Sequence, residues 1–388
     1  MRLVSAGTNN APGTARGPGL NRLWGTLLLS VLTVSIGGSQ AFGGPAALFA
    51  TASPAAPEPI TQAEVPFVDR FTGVVGVYAA VVDPDADSYE ELAVVRHGET
   101  RSFPLASTFK LFVLLEVMKA VDSGELGWRE RLAIQPEDWS LDSGRPPAHM
   151  TVSRLVRRMI KSSHNTSSDV LFKHVGLGRP ETTLAGLGLQ RVRVTLPTRE
   201  FWVALAGLAP DIFPYDHLPA AALTCAGADR AQQIRQVEAV RRAGAGHTVA
   251  RIDTASDDFY RFRTWPRDTA FEILDNLDNT ARPDDLARFV HHLFLRNGLS
   301  SRNDKRLRKV LASGDGALDR RQIEVPLSYW GGKGGSDLGM GSMAGYGITR
   351  SGHHIIYAIL GAHMTREQAD WRILEDLLTW VFDTLAGS

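Results

Sequence analysis

Strand-forming stretches sit near both ends of the main body of this chain, and a long helical middle separates them. Any sheet must therefore bring together segments that are far apart in sequence. Phe71 to Val82 (FTGVVGVYAAVV) is β-branched and punctuated by glycine, and Glu91 to Arg96 (ELAVVR) follows the turn-rich Asp83-Pro84-Asp85-Ala86-Asp87. Two strands joined by a hairpin fit that pattern. Towards the other end, Gly345 to Thr349 and His353 to Leu360 also have strand character, with Arg350-Ser351-Gly352 as the turn. Thr365 to Ala386 has the spacing of an amphipathic helix. In the middle, Ser107 to Ser123, Val152 to Lys161, Thr166 to Val175, Ala228 to Arg242 and Pro283 to Arg296 read as helices. The expected fold is α/β (α+β), one antiparallel sheet built from both ends and flanked by helices, plus an all-α lobe.

The first residues are set apart from that body. Met1 to Pro57 contains no Asp or Glu, while Arg2, Arg16 and Arg22 precede an apolar run from Leu23 to Ile36, which is the order of an export signal. Ser39-Gln40-Ala41 offers a cleavage site, so residues 1–41 are expected to be a signal peptide, with an uncleaved anchor as the alternative. Residues 42–62 are Ala/Pro-rich, cannot bury enough apolar surface to order themselves, and read as a tether. Export would place the protein in the periplasm, the cell envelope or the medium, with membrane contact only if the segment stays uncleaved. With 42 basic and 42 acidic side chains in 388 residues, no charge excess supports nucleic-acid binding, and a small-molecule or peptide substrate is indicated. Cys225 is the sole cysteine, which excludes an intramolecular disulfide, and it lies too far from the apolar run to carry a lipid there. A small buried apolar role is expected for it. A monomer is expected.

Three short motifs carry the chemistry. Ser107-Thr108-Phe109-Lys110 opens an apolar helix and places a hydroxyl and an amine on one face. A serine becomes a nucleophile when a neighbouring base takes its proton, and a lysine three residues on can do so. Alone, the same residues describe an N-cap serine and a solvated lysine. Ser163-His164-Asn165 forms a polar loop between two helices, where Ser163 could relay a proton to a leaving nitrogen and Asn165 could bind a substrate amide. The plainer alternative is that Ser163 or Asn165 caps the next helix. Lys333-Gly334-Gly335-Ser336 would let a substrate backbone approach a strand edge and would attract its carboxylate through Lys333. Alone it is a Gly-rich turn. His353 and His354 are adjacent on a strand and point to opposite faces, so no shared metal is expected.

In this order the motifs resemble those of the penicillin-recognising serine hydrolases, the superfamily of serine β-lactamases and penicillin-binding proteins. The flanking residues are similar to class A enzymes, including STFK itself, MTVSRLVRRMIKSSHNTSSDVLFKHVG and TARPDDLARFV. The resemblance implies a β-lactamase/transpeptidase-like fold over residues 63–388, with the site in a cleft between a sheet domain and the all-α lobe. No cofactor and no metal is implied. It implies that Ser107 is acylated and Lys110 activates it. Ser163 and Lys333 would pass the proton to the leaving nitrogen, and Asn165 would hold the acyl-amide side chain. The backbone N–H groups of Ser107 and Ser336 would form the oxyanion hole beside Gly335. Glu200, in LPTREFW, is the candidate base for deacylation, and a surface carboxylate beside Arg199 is its alternative.

Departures from the pattern bear on the substrate. His164 stands where Asp is usual, Gly334 replaces a Thr or Ser and so removes one carboxylate contact, and no Asn lies four residues after Glu200. Asp169 lies where the superfamily often has a structural Asn and is given no chemical role. An insertion is expected at about 205–279, either as a lid over the site or as a surface decoration. The expected activity is opening of β-lactam amides. An esterase or a D,D-peptidase acting on cell-wall peptides, and a sensor that is acylated once and stays blocked, are the alternatives.

Overall fold

The computed structural model describes residues 65–141, 146–314 and 323–387. The expected signal peptide (1–41) and tether (42–62) lie outside the described residues. The chain begins with β1 (Val74–Val82) and β2 (Glu91–His97), crosses the two-residue β3 (Phe103–Pro104), and enters α1 (Lys110–Asp122) through a 3-10 turn at Ala106–Phe109. A small hairpin of β4 (Arg131–Ala133) and β5 (His149–Thr151) precedes α2 (Val152–Lys161), α3 (Asn165–Val175), α4 (Arg179–Gly186) and α5 (Thr198–Leu205). Four more helices follow: α6 (Leu218–Gly227), α7 (Arg230–Gly244), α8 (Val249–Tyr260) and α9 (Arg267–Leu277). After β6 (Thr280–Ala281), α10 (Pro283–Leu295) and α11 (Ser301–Leu311), the chain closes with β7 (Leu327–Asp337), β8 (Met340–Thr349), β9 (His354–Ala362) and α12 (Glu367–Ala386).

As expected, strands from both ends join in one antiparallel sheet, in the order β2-β1-β9-β8-β7. The pairing of β1 with β9 joins the two ends directly, with Val77 opposite Ile359 and Ala80 opposite Ile356. Both strands are buried along almost their whole length, which explains why they read as near-continuous apolar runs. Alternate residues serve two cores. Tyr78, Ala80, Val82, Ile356 and Ala358 face the helical lobe, while Val77, Ala79, Val81, Ile355 and Ile359 face α12. That helix presents Leu374, Leu377, Leu378, Val381, Phe382 and Leu385 at the three- and four-residue spacing of one face.

The stretch from 205 to 279 folds as helices α6 to α9, and its apolar residues Val237, Val240, Ile252, Phe259 and Leu274 belong to the same core as the helical lobe. Asp229 caps α7 through a 2.7 Å bond from the Gln232 N–H, so that helix starts two residues later than its apolar spacing suggested. Cys225 is buried in this core, as expected. The long excursion begins and ends at one place because Asn279 clamps its two stems. Its Oδ1 accepts from the N–H groups of Thr195 (2.9 Å) and Leu196 (3.0 Å), and its Nδ2 donates to the Leu196 carbonyl (2.7 Å). Closing a loop at a shared root lets a large excursion form without splaying the fold around it.

The neighbouring Asp278 ties that root to the turn before Ser107. Its Oδ2 accepts from the Ala106 N–H at 3.1 Å and its Oδ1 from the Asn279 N–H at 2.8 Å. Burial, more than the nearby Asp337, pushes its carboxyl up to about 7. The folded state thus holds the proton more firmly than the unfolded chain does. The cost of ionising Asp278 in the fold is fully present above its folded value and is relieved as pH falls towards the ordinary carboxylate range. Urea melts should show wild type gaining stability over Asp278→Asn between about pH 8 and about pH 5, by at most about 1.4 kcal/mol for each pH unit. A difference that stays flat across that range would contradict this assignment.

Candidate active site

Ser107 lies in the 3-10 turn and Lys110 is the first residue of α1. The lysine side chain is fully buried, so its N–H groups need acceptors. Its Nζ donates to Ser107 Oγ at 2.8 Å, to the Ser163 carbonyl at 2.7 Å, to Ser163 Oγ at 3.1 Å and to Asn165 Oδ1 at 2.7 Å. One amine therefore joins the first two motifs. The backbone is strained on both sides of it. Ala106 has φ 43° and Ser163 has φ 50°, in the left-handed region that non-glycine residues rarely occupy.

The second loop explains its own departure from pattern. His164 is buried and caps α3, its Nδ1 accepting from the Ser167 N–H at 3.1 Å and meeting Ser167 Oγ at 2.9 Å. An imidazole acceptor thus performs the capping that a carboxylate would provide. Neither Ser163 nor Asn165 caps the helix, and both side chains turn to Lys110 instead. Asn165 also donates from Nδ2 to the Leu141 carbonyl at 3.1 Å, so its amide orients the lysine within the protein.

The third motif is not a turn. Lys333 to Ser336 lie within β7, the edge strand of the sheet. The close approach made by Gly335 is to Ser107, because a Cβ there would overlap the backbone nitrogen of Ser107 and stand 2.8 Å from Ser342 Oγ. Ser342 Oγ donates to the Leu105 carbonyl at 2.7 Å, fixing β8 against the same turn. Lys333 is buried, shares a strand face with Gly335, and its Nζ donates to the Gly334 carbonyl. Ser336 is exposed at the end of the motif.

Glu200 occupies the first turn of α5 and is 1% exposed, which corrects the alternative of a surface carboxylate. Arg199 is buried too, donating to the carbonyls of Trp139 (2.6 Å), Gly244 (2.9 Å) and His247 (2.7 Å). Glu200 Oε1 is 3.0 Å from Lys173 Nζ, and its buried Oε2 has no hydrogen-bond partner among the described residues. Asp169 accepts from the N–H groups of Thr198 (2.8 Å) and Arg199 (2.9 Å), anchoring the start of α5. Burial, then the charge of Glu200, pushes its carboxyl up to about 6, while Lys173 opposes the shift. Asp169 and Lys173 stand one turn apart on α3, and that four-residue spacing was the available signal for a lysine that sequence reasoning passed over.

A chain of side chains links the excursion to the end of the third motif. Trp202 Nε1 donates to Tyr260 Oη at 2.6 Å, and that hydroxyl donates to Asp337 Oδ2 at 3.2 Å, one residue beyond Ser336.

Residues 61–363 match the Beta-lactamase enzyme family. The chain belongs to that family. Its fold is that of serine β-lactamases and penicillin-binding proteins, and it is a serine β-lactamase-like hydrolase. Among solved structures, a β-lactamase from Sphaerobacter thermophilus is 20% identical with a TM-score of 0.55, over 83% of this chain and 94% of that one. A β-lactamase from Chitinophaga pinensis is 16% identical with a TM-score of 0.53, over 82% and 96% of the two chains. PBP-A is 18% identical with a TM-score of 0.51, over 82% and 94%. At such identities the likeness is one of fold. No curated protein matches the sequence.

Gly335→Ala tests the contact between the third motif and Ser107. The added methyl must displace either β7 or the Ser107 backbone, and a shift of about 1 Å at a reacting group costs on the order of 100-fold in rate. Acylation by a penicillin, followed by stopped flow, should fall by that order. An unchanged rate would show that the two segments do not need this spacing.

Proposed function

We propose that the protein is an exported serine hydrolase that opens β-lactam amides through an acyl-enzyme on Ser107. The observation that carries this reading is the single buried amine within hydrogen-bond distance of Ser107 Oγ, Ser163 Oγ and Asn165 Oδ1. With that amine neutral, the Ser107 hydroxyl donates its proton to Lys110 Nζ as Oγ attacks the lactam carbonyl. Charge developing on the carbonyl oxygen is met by the backbone N–H groups of Ser107 and Ser336, on the two segments that Gly335 brings together. The proton then passes from Lys110 through Ser163 Oγ to the lactam nitrogen as the C–N bond breaks, with Lys333 supplying positive charge on the β7 side. Asn165 holds Lys110 and offers a side-chain amide to the acyl group.

Deacylation falls to Glu200. Lys173 holds Oε1, which leaves the buried Oε2 to take a proton from the water that attacks the ester. Asp169 fixes the backbone of α5 and so the position of that carboxylate. Gly334 supports a second reading, an esterase or D,D-peptidase, because without a hydroxyl there the strand grips a substrate carboxylate less firmly.

Intact-mass spectrometry after mixing with benzylpenicillin tests the mechanism. Wild type should show a transient adduct of one penicilloyl group, Ser107→Ala none, and Glu200→Gln an adduct whose lifetime is longer by about 100-fold or more. A persistent adduct on wild type would indicate a sensor. Labelling of Ser107→Ala would remove Ser107 as the nucleophile, and an unchanged lifetime in Glu200→Gln would remove that residue as the base.

A further inference from the structure

The helical lobe carries a cavity at the end of α2 opposite Ser163, of about 660 Å3, lined by Trp128, Arg129, Ser153, Arg157, Arg302 and Arg306. Ser153 is in the first turn of α2 and Ser163 just beyond its last, so about 15 Å of helix separates this cavity from the lysine. Four arginines, of which Arg129, Arg157 and Arg302 are exposed and Arg306 half-buried, therefore line one open recess in a chain whose formal charge is zero. None of them is in an ion pair among the described residues.

None of the carboxylates on the neighbouring segments makes an ion pair with these four arginines among the described residues. Asp122 accepts from the Ser300 N–H and hydroxyl and from Asn303 Nδ2, and Glu125 pairs with Arg179. Glu130 accepts from the Gly127 N–H, and Asp304 pairs with Arg308. The helices that supply the recess add further positive charge, with Arg154, Arg158 and Lys161 on α2 and Lys305 and Lys309 on α11. α2 has no acidic residue at all.

Two of the arginines are held in place by neutral partners. Arg306 donates from Nη1 to Asn303 Oδ1 at 2.7 Å and lies over the Trp128 ring at 5.3 Å, and Arg157 donates from Nε to the Ser153 carbonyl at 3.1 Å. Arg306 holds its proton less firmly than usual, first because of desolvation and then because Arg302 and Arg129 stand close. Like charges gathered this closely repel one another, and an anion bound among them relieves that repulsion.

We propose that this recess binds a compact anion bearing two or more phosphoryl groups, at a site separate from the acyl-transfer cleft. Planar guanidiniums pair with phosphoryl oxygens through two parallel N–H bonds, and a diphosphate brings enough charge in a small volume to answer four of them. The volume lies in the range of small-molecule sites. None of the recess residues takes part in the chemistry assigned to Ser107, so anion binding here is independent of it.

Calorimetric titration of the full chain with inorganic pyrophosphate at about 0.15 M salt tests it. One site per chain with a Kd below about 1 mM is expected, weakening as salt rises. Arg302→Gln with Arg306→Gln should weaken binding by about tenfold or more, and exposed Arg129→Gln by severalfold, with thermal melts confirming that both variants fold. No binding at millimolar pyrophosphate, or equal affinity in wild type and variants, would overturn the proposal. Equal affinity for citrate would overturn the phosphoryl class. Binding to phosphatidylglycerol vesicles with none to pyrophosphate would make the face a membrane contact and the recess no site.

Discussion

A buried lysine amine is costly unless its hydrogens meet acceptors, and here the acceptors define the site. The side chain of Lys110 is inaccessible to water, and its amine is surrounded by the hydroxyl of Ser107, both oxygens of Ser163 and the amide oxygen of Asn165. Each of those oxygens comes from a segment that must adopt an unfavourable backbone or a particular cap to deliver it. The left-handed Ser163 places its carbonyl and hydroxyl on the same amine, and His164 takes over the helix cap, so that Asn165 need not. Strain in the loop and satisfaction of the amine are two sides of one arrangement.

The rest of the fold holds that arrangement from behind. The turn carrying Ser107 is tied through Leu105 and Ala106 to Ser342, Asn279 and Asp278, which come from the sheet and from the root of the helical excursion. β7 can lie against the Ser107 backbone only because position 335 has no side chain. The excursion shares the main core and reaches Asp337, next to the third motif, through Trp202 and Tyr260.

Much of this was legible in the amino-acid order. β1 and β9 announced themselves because strands covered on both faces are apolar throughout, and α12 because one helical face is buried. Ser107 and Lys110 were legible because a three-residue spacing on a helix start is a local fact. The third motif was harder, because consecutive glycines carry no side-chain period and look like a turn until the segment they must touch is known. Helices α8 and α9 carry the needed spacing, with Ile252 and Phe259 on one and Ala270, Ile273, Leu274 and Leu277 on the other, but were passed over as part of an undivided insertion. The partnership of Glu200 with Lys173, and the clamps made by Asp278 and Asn279, depend on side chains meeting carbonyls and N–H groups far away in sequence, which no local pattern records.

In the proposed mechanism Lys110 takes the Ser107 proton. The most direct test is single-turnover acylation of Lys110→Met by a penicillin, with thermal melts to confirm that the apolar replacement folds. Acylation should fall by about 100-fold or more while the adduct that does form still maps to Ser107. A Lys110→Met protein acylated at the wild-type rate would contradict that role for Lys110.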